Sequence, residues 1–274
     1  VVKAEFMGVV LQHEEIAMSD WNPTLYRQFE DERTRPAREL LARVMVEAPA
    51  KVVDLGCGPG NSTELLAARY PGAELLGIDN SAAMLAEARQ RVPGARFEEQ
   101  NIESWAPAAP VDVVYANAAL QWVPDHKILV PRLFNVVAPG GVLAFQMPDN
   151  ADEPTHRLMR STAMEPEFAG IIGDASAVRT KILPVTWYYD LLAGQAAAVE
   201  VWRTVYYHVM DSAEAIVTWL RATGLRPFID PLPDDLRASF LKIYTAKIAA
   251  AYPAHAGGKL LLAFPRMFVV ARRG

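Results

Sequence analysis

Between residues 50 and 150, short apolar runs alternate with helix-patterned segments, and nothing else in the chain restricts its fold as strongly. Lys51–Leu55 reads as a brief strand that ends on Asp54 and a glycine loop. Ser62–Tyr70 has helical composition, with Leu65, Leu66 and Tyr70 spaced for one apolar face. Glu74–Asp79 is the next strand, and Ser81 is placed to cap a helix carrying Met84, Leu85 and Ala88. Further strands are expected at Ala95–Glu99, Val111–Ala116 and Val142–Met147. Pro131–Val137 is expected in a helix closed by Pro139-Gly140-Gly141. Strand and helix alternating at this spacing build βαβ units, hence an α/β doubly wound, Rossmann-like sheet, mostly parallel, with helices on both faces.

The rest of the chain changes character. Residues 148–198 carry prolines and little strand pattern. Val199–Val209 and Leu260–Ala271 read as strands able to pair antiparallel at one sheet edge. Between them, Asp211 with Glu214 resembles a capping box, and Gly224 fits a helix stop. Leu236, Phe240, Ile243, Tyr244 and Ile248 recur at helical spacing, so this insertion is expected to form a helical cap. Residues 18–274 are read as one domain: a helical lid over 18–48, a ligand-binding core over 50–150, and cap elements over 151–198 and 211–255. Residues 1–17, before Met18, are expected to be an unstructured extension.

Composition narrows the partners. Of 274 residues, 51% are hydrophobic, enough for a substantial core. A net charge of -5 argues against a nucleic-acid footprint but not against a small anion, which a few arginines suffice to hold. The single cysteine suits a reducing, cytoplasmic setting, and no apolar run is long enough to suggest a membrane span. The histidines at 13, 126, 156, 208 and 255 lack metal-ligand spacing.

The loop Asp54-Leu55-Gly56-Cys57-Gly58-Pro59-Gly60 has the spacing G-x-G-x-G, neither a dinucleotide fingerprint nor a P-loop. Its leading acid would repel a pyrophosphate and attract a cation. Asp79, ending the second strand, suits the two hydroxyls of a ribose, a device that nicotinamide sites share. Together they favour a ribose-bearing, phosphate-free cation. A plain strand-to-helix turn is the alternative for the glycines, and a small slot-filling side chain is the reading for Cys57.

The chain resembles the trans-aconitate 2-methyltransferases, within the class I S-adenosylmethionine-dependent methyltransferases. The resemblance runs from Met18 onward, through Trp21-Asn22-Pro23, Arg33-Thr34-Arg35-Pro36-Ala37, the glycine loop, Gly77-Ile78-Asp79 and Leu120-Gln121-Trp122. It continues in Gln146-Met147-Pro148-Asp149-Asn150, Glu153-Pro154-Thr155-His156, Tyr206-Tyr207-His208 and Leu262-Ala263-Phe264-Pro265-Arg266. It implies a seven-stranded sheet, S-adenosylmethionine as cofactor, and methylation of one carboxylate of a small tricarboxylate. On this basis the cofactor is expected to meet Tyr26, Asp54, Gly56, Gly58, Gly60, Asp79, Asn80, Met84, Asn101, Ile102 and Asn117. One departure is visible: where similar proteins place an aspartate near the adenine, this chain has Gln100-Asn101-Ile102. An amide oxygen still accepts from an adenine amino group.

A carboxylate acceptor is ionised at neutral pH, so no general base is needed and no metal is required. Positioning then falls to Gln121 and Trp122, after the fourth strand at the sheet centre. Arg33 and Arg35 lead as carboxylate clamps, with Trp122, His156 and Tyr207 as further acid contacts; a solvated helix face is the alternative for the arginines. Three rival functions stay open at this point: another carboxyl methyltransferase, such as one acting on malonyl-acyl carrier protein; a NAD-dependent oxidoreductase; and a non-enzymatic nucleotide sensor.

Overall fold

A computed structural model describes residues 30–178, 182–221 and 224–274, with side chains from Thr34 onward. Its sheet has seven strands in the order β3-β2-β1-β4-β5-β7-β6. These are β1 (Lys51–Leu55), β2 (Glu74–Asp79), β3 (Arg96–Glu99), β4 (Val111–Asn117), β5 (Val137–Pro148), β6 (Ala196–Met210) and β7 (Leu260–Arg273). The first five are mutually parallel; β7 joins β5 and β6 antiparallel.

The pleat divides each central strand between two cores. Val53, Leu55, Val114, Ala116, Leu143, Phe145, Met267 and Val269 face one side. There they meet α4 (His126–Asn135) and α7 (Val185–Ala193), through Leu129, Leu133, Phe134, Tyr188 and Leu192. Val52, Val113, Tyr115, Val142, Ala144 and Phe268 face the other side, under α1 (Glu30–Leu41) and α2 (Asn61–Arg69). α3 (Ala82–Arg91) covers β3 through Leu85, Ala88 and Phe97. Leu40 is fully buried and anchors α1; such a side chain stabilises by about 1.5–3 kcal/mol. The Tyr115 hydroxyl also donates to the Ala37 carbonyl at 2.7 Å, which fixes α1 against the sheet's carboxyl edge.

β6 and β7 pair along their whole length, but β5 reaches only as far as the Pro148–Arg266 pair. Beyond it, residues 205–210 and 260–265 project as a two-stranded ribbon past the carboxyl end of β5. The ribbon carries a second core. It contains Met159, Phe168, Ile216, Trp219, Phe240, Tyr244 and Ile248 from α5 (Pro154–Ala163), α6 (Pro166–Ile172), α8 (Ala213–Arg221) and α10 (Asp234–Ala251); α9 (Arg226–Ile229) adds Phe228 and Ile229. The cap therefore stands on the edge where an open parallel sheet binds ligands.

Three local expectations change. The helix expected at Pro131–Val137 spans His126–Asn135 and tolerates Pro131 inside it. Val137 already belongs to β5, which runs through Pro139-Gly140-Gly141 because Val111 pairs with Val137 before a register shift. At the cap, Ser212 takes the place expected of Asp211: its Oγ accepts from Ala215 N at 3.2 Å, while Asp211 pairs with Lys259 at 2.5 Å. The helices at 154–172 and 185–193 were not expected. Pro154 and Pro166 open theirs at the first helical turn, where proline's missing N–H costs nothing. Residues 1–17 lie outside the described residues.

Candidate active site

The glycine loop is pinned at the carboxyl ends of β1 and β2. Cys57 N donates to Ile78 O at 2.9 Å, and Gly58 N donates to the Asp79 carboxylate at 2.9 Å. Gly56 and Gly58 both adopt positive φ, 66° and 54°, the left-handed region that favours glycine. Their surroundings differ. A Cβ on Gly56 would lie 2.5 Å from the Ala119 Cβ, whereas one on Gly58 would meet nothing within 4 Å among the described residues. Gly58 thus presents bare backbone to the open side of the loop. Cys57 is buried, its thiol pushed far up by burial and by the nearby Asp54 and Asp79 charges. Its sulfur lies 3.0 Å from where a Gly77 Cβ would stand, which makes it a slot-filler and not a nucleophile.

Asp54 is completely buried. Ser62 Oγ and Thr63 Oγ1, from the first turn of α2, each donate to its Oδ2 at 2.7 Å. Its Oδ1 is buried without a hydrogen-bond partner among the described residues. Desolvation, outweighing the two hydroxyls, raises its pKa to about 6. Asp79 also titrates above its ordinary range through burial, held back by the Gly58 and Ser81 amides that it accepts. An anion with an unmet oxygen at the end of the strand that leads into this loop fits a ligand with an ammonium group, and so fits S-adenosylmethionine. Met84 is buried in the first turn of α3, and Ile102 is buried near this loop, its Cδ1 lying 3.5 Å from where a Cβ on Gly56 would stand. Asn80 is exposed beside Asp79. The Asn101 oxygen, expected toward an adenine, accepts from Glu103 N at 2.9 Å and so closes a local turn.

Past β4 the chain turns at Ala118, whose φ of 53° is unusual for alanine. Gln121 and Trp122 follow in a 3-10 turn. Gln121 donates to Ala118 O at 2.6 Å, and its buried Oε1 has no hydrogen-bond partner. Asn117 accepts from Gln146, which lies beside it on β5 and is fully buried. Gln146 in turn accepts from Arg266 Nη1 at 3.1 Å. Asp54, Asn117, Gln146 and Arg266 thus follow one another across β1, β4, β5 and β7, toward the carboxyl end of the parallel strands.

Arg35 stands at the same edge. Its guanidinium lies 5.0 Å from the Tyr206 ring centre and pairs with Glu39 at 2.9 Å; Tyr206 donates to Glu39 at 2.6 Å. The Arg35–Glu39 pair is solvent-exposed enough to contribute little stability of its own. Tyr207, expected at the acid, lies instead on the solvent face with Val205 and Val209, 64% exposed. The strand's alternation turns Tyr206 inward and Tyr207 outward. His156 is buried in the first turn of α5 with its Nδ1 3.1 Å from Thr155 Oγ1. His208 packs on Trp219 in the cap, and Arg203 pairs with Asp149 at 2.7 Å. Tyr26 and the Arg33 side chain lie outside the described residues. Tyr206, Gln146, Arg266 and Asn150 received no role from the sequence; a charged residue inside an otherwise apolar strand was the one signal available, at Arg266.

Residues 52–141 match a family model described as a methyltransferase domain. The chain is 63% identical to the trans-aconitate 2-methyltransferase of Variovorax paradoxus strain S110, over 93% of its own length and 99% of that protein's. It is 62% identical to the enzyme of the same name from Paracidovorax citrulli, again over 93% and 99%. Among solved structures, the YcgJ protein of a Bacillus species superposes with a TM-score of 0.57 at 14% identity, covering 87% of this chain and 98% of that one. Haemonchus contortus phosphoethanolamine N-methyltransferase 2, in complex with S-adenosyl-L-methionine, superposes at 0.51 and 14%, covering 88% and 53%. These two likenesses establish the fold.

Proposed function

This chain belongs to the trans-aconitate 2-methyltransferases, a family of class I S-adenosylmethionine-dependent methyltransferases, and on that premise we propose that its carboxyl edge methylates one carboxylate of trans-aconitate. Asp54 carries the cofactor half of the reading, through its buried, unmet Oδ1 beside the open face of Gly58. When bound, S-adenosylmethionine supplies a methyl group activated by its sulfonium. Asp54 receives the ammonium, and Asp79 has lone pairs left for the ribose hydroxyls. Met84 and Ile102 flank the adenine, with Asn80 and the Asn101 amide N–H groups at its rim. Asn117, Gln121 and Trp122 line the path between cofactor and acceptor and exclude water from it. Arg35 and His156 face the acid, whose charge calls for several donors, and the sequence adds Arg33 as a further candidate.

The residues present have one chemical task, which is alignment. Holding two reactants in register is worth about 7–11 kcal/mol. No side chain need take a proton, because the acceptor is already ionised. Residues 18–274 act as one methyltransferase domain in this reading, with α1 as the described part of the lid. A free small acid, not a nucleic acid, is the partner, and the single buried cysteine fits the cytoplasm. Among the described residues no helix is long and apolar enough to cross a membrane.

A product assay with labelled S-adenosylmethionine and a panel of tri- and dicarboxylic acids tests the reading. The expected product is a monomethyl ester, formed fastest from trans-aconitate. Labelling of a malonyl carrier-protein thioester with none of the free acids would overturn it. The same assay has a pH signature. With saturating cofactor, turnover should stay flat from about pH 6.5 to 8. Below the Asp54 pKa of about 6 its carboxylate is protonated and loses the ammonium, so kcat/KM for the cofactor should fall with each further unit of acid. A steep rise in turnover across the flat range would reveal a base instead.

A further inference from the structure

The β6–β7 ribbon leaves the sheet at Arg266, and here we propose that a non-reacting carboxylate of the acid is bound, by the Arg266 guanidinium together with the Asn150 side-chain amide. The inference rests on the proposed function, in which the acceptor is a polycarboxylate: methylating one carboxylate leaves others that need donors. Arg266 is 6% exposed, at the last register pair before the cap, opposite Pro148. The planar fork of its guanidinium matches a carboxylate's two oxygens.

The hydrogen bonds behind Arg266 set its direction. Arginine only donates, so the Gln146 atom that faces it is the amide oxygen. The Gln146 NH2 must then face Asn117, which presents its own oxygen. Gln146 is fully buried, so this chain of three is rigid and crosses β7, β5 and β4 without a mobile link. The Phe264 ring lies 5.1 Å from the guanidinium carbon and supports it from within its own strand. Arg266 therefore holds a fixed place relative to Asn117.

Asn150 supplies the second donor. It lies in the turn from β5 into α5, one residue beyond the bond from Asp149 N to Pro265 O at 2.9 Å, so it stands alongside the strand that carries Arg266. It is 4% exposed, and its Nδ2 is buried without a hydrogen-bond partner among the described residues. A buried N–H left unmet in the free protein is accounted for if a ligand oxygen completes it. The spacing also fits. β1 and β7 are three strand steps apart, about 14 Å at ordinary sheet spacing. With Asp54 holding the cofactor's ammonium at one end, the methionyl arm and a small acid fit end to end before Arg266.

The test uses Arg266→Gln, Arg266→Lys and Asn150→Ala in the full chain, with trans-aconitate and the two dicarboxylates made by deleting either non-reacting carboxylate. The KM for trans-aconitate should rise at least thirtyfold in Arg266→Gln and five- to tenfold in Asn150→Ala. Arg266→Lys should fall between Arg266→Gln and the wild type. The Kd for S-adenosylhomocysteine should stay within twofold throughout. For one of the two dicarboxylates, wild type and variants should become nearly equal, because the group that Arg266 holds is gone. A merely structural role would penalise all three acids alike, and that result overturns the inference, as does an unchanged KM. If Arg266→Gln fails to bind S-adenosylhomocysteine, Asn150→Ala decides on the same readouts. Absence of wild-type turnover on trans-aconitate would instead defeat the underlying functional reading.

Discussion

Replacing Asp54 by asparagine should weaken S-adenosylhomocysteine binding at least about a hundredfold, while the ligand-free protein stays as stable as the wild type or becomes more so. The two halves have one cause. Asp54 is fully buried and its pKa is raised from 3.8 to about 6, chiefly by desolvation. The folded protein therefore binds this proton more tightly than the unfolded chain does. Its contribution to stability falls as pH rises from about 4 to about 6, and above that the full cost remains, roughly 3 kcal/mol. Asparagine removes that cost. Its amide oxygen can keep the bonds from Ser62 and Thr63, and its NH2 takes the place of the unmet Oδ1. That NH2 is itself buried, at a cost of about 1–3 kcal/mol, so the net gain is small or nil. The ligand's ammonium, however, loses its anion. Thermal melts of the free protein at pH 7, with calorimetric titration of S-adenosylhomocysteine, measure both. A large fall in Tm with affinity intact would show that Asp54 is a structural residue. The wild type should also lose stability between pH 4 and 6 by a term that the variant lacks.

The placement of Asp54 and Asp79 was legible in the sequence because it is local: each lies at the carboxyl end of a strand, Asp54 bonded to the helix that follows and Asp79 to the turn beside it. The sheet was legible for a similar reason. Val52, Val113 and Phe268 face one core and Val53, Val114 and Val269 the other, so burial on both sides writes near-continuous apolar runs. The start of β5 was hidden because Pro139-Gly140-Gly141 reads as a breaker, yet Gly141 is what the crossing needs. A Cβ there would lie 2.5 Å from Asp112 O. The helices of 154–172 were hidden because their apolar faces serve the cap's own core rather than the sheet. On the acceptor side, Arg266 meets Gln146 across 120 residues, and Tyr206 meets Glu39 across 167. Such pairs depend on strand register, which no local pattern reports. Tyr206 and Tyr207 make the point sharply: the sequence offers two adjacent tyrosines, and only the pleat decides which one turns inward.

The glycine loop should fail in two different ways when its glycines gain a methyl group. Gly56→Ala should unfold at a Tm lower by roughly 6–12 °C, corresponding to about 3 kcal/mol at this chain length. Its φ of 66° strains any L-residue by about 1–2 kcal/mol, and its Cβ would stand 2.5 Å from that of Ala119, which is itself buried. Neither atom is the end of a flexible side chain, so backbone must move, and the strand-end crevice moves with it. Gly58→Ala has the strain of its φ of 54° but no neighbour within 4 Å among the described residues, so its Tm should fall by only about 2–8 °C. Its new Cβ stands on the open side of the loop, where the proposed placement brings the cofactor's methionyl arm to the backbone. S-adenosylhomocysteine affinity should therefore drop at least about thirtyfold in a protein that is otherwise folded. Melts and titrations of the two variants separate the outcomes. If Gly58→Ala binds as the wild type does, the open side of Gly58 is not where the ligand lies, and the placement of the ammonium at Asp54 falls with it. If Gly56→Ala melts normally, the loop after β4 yields more readily than its burial implies, and Ala119 is not the wall that makes glycine necessary there.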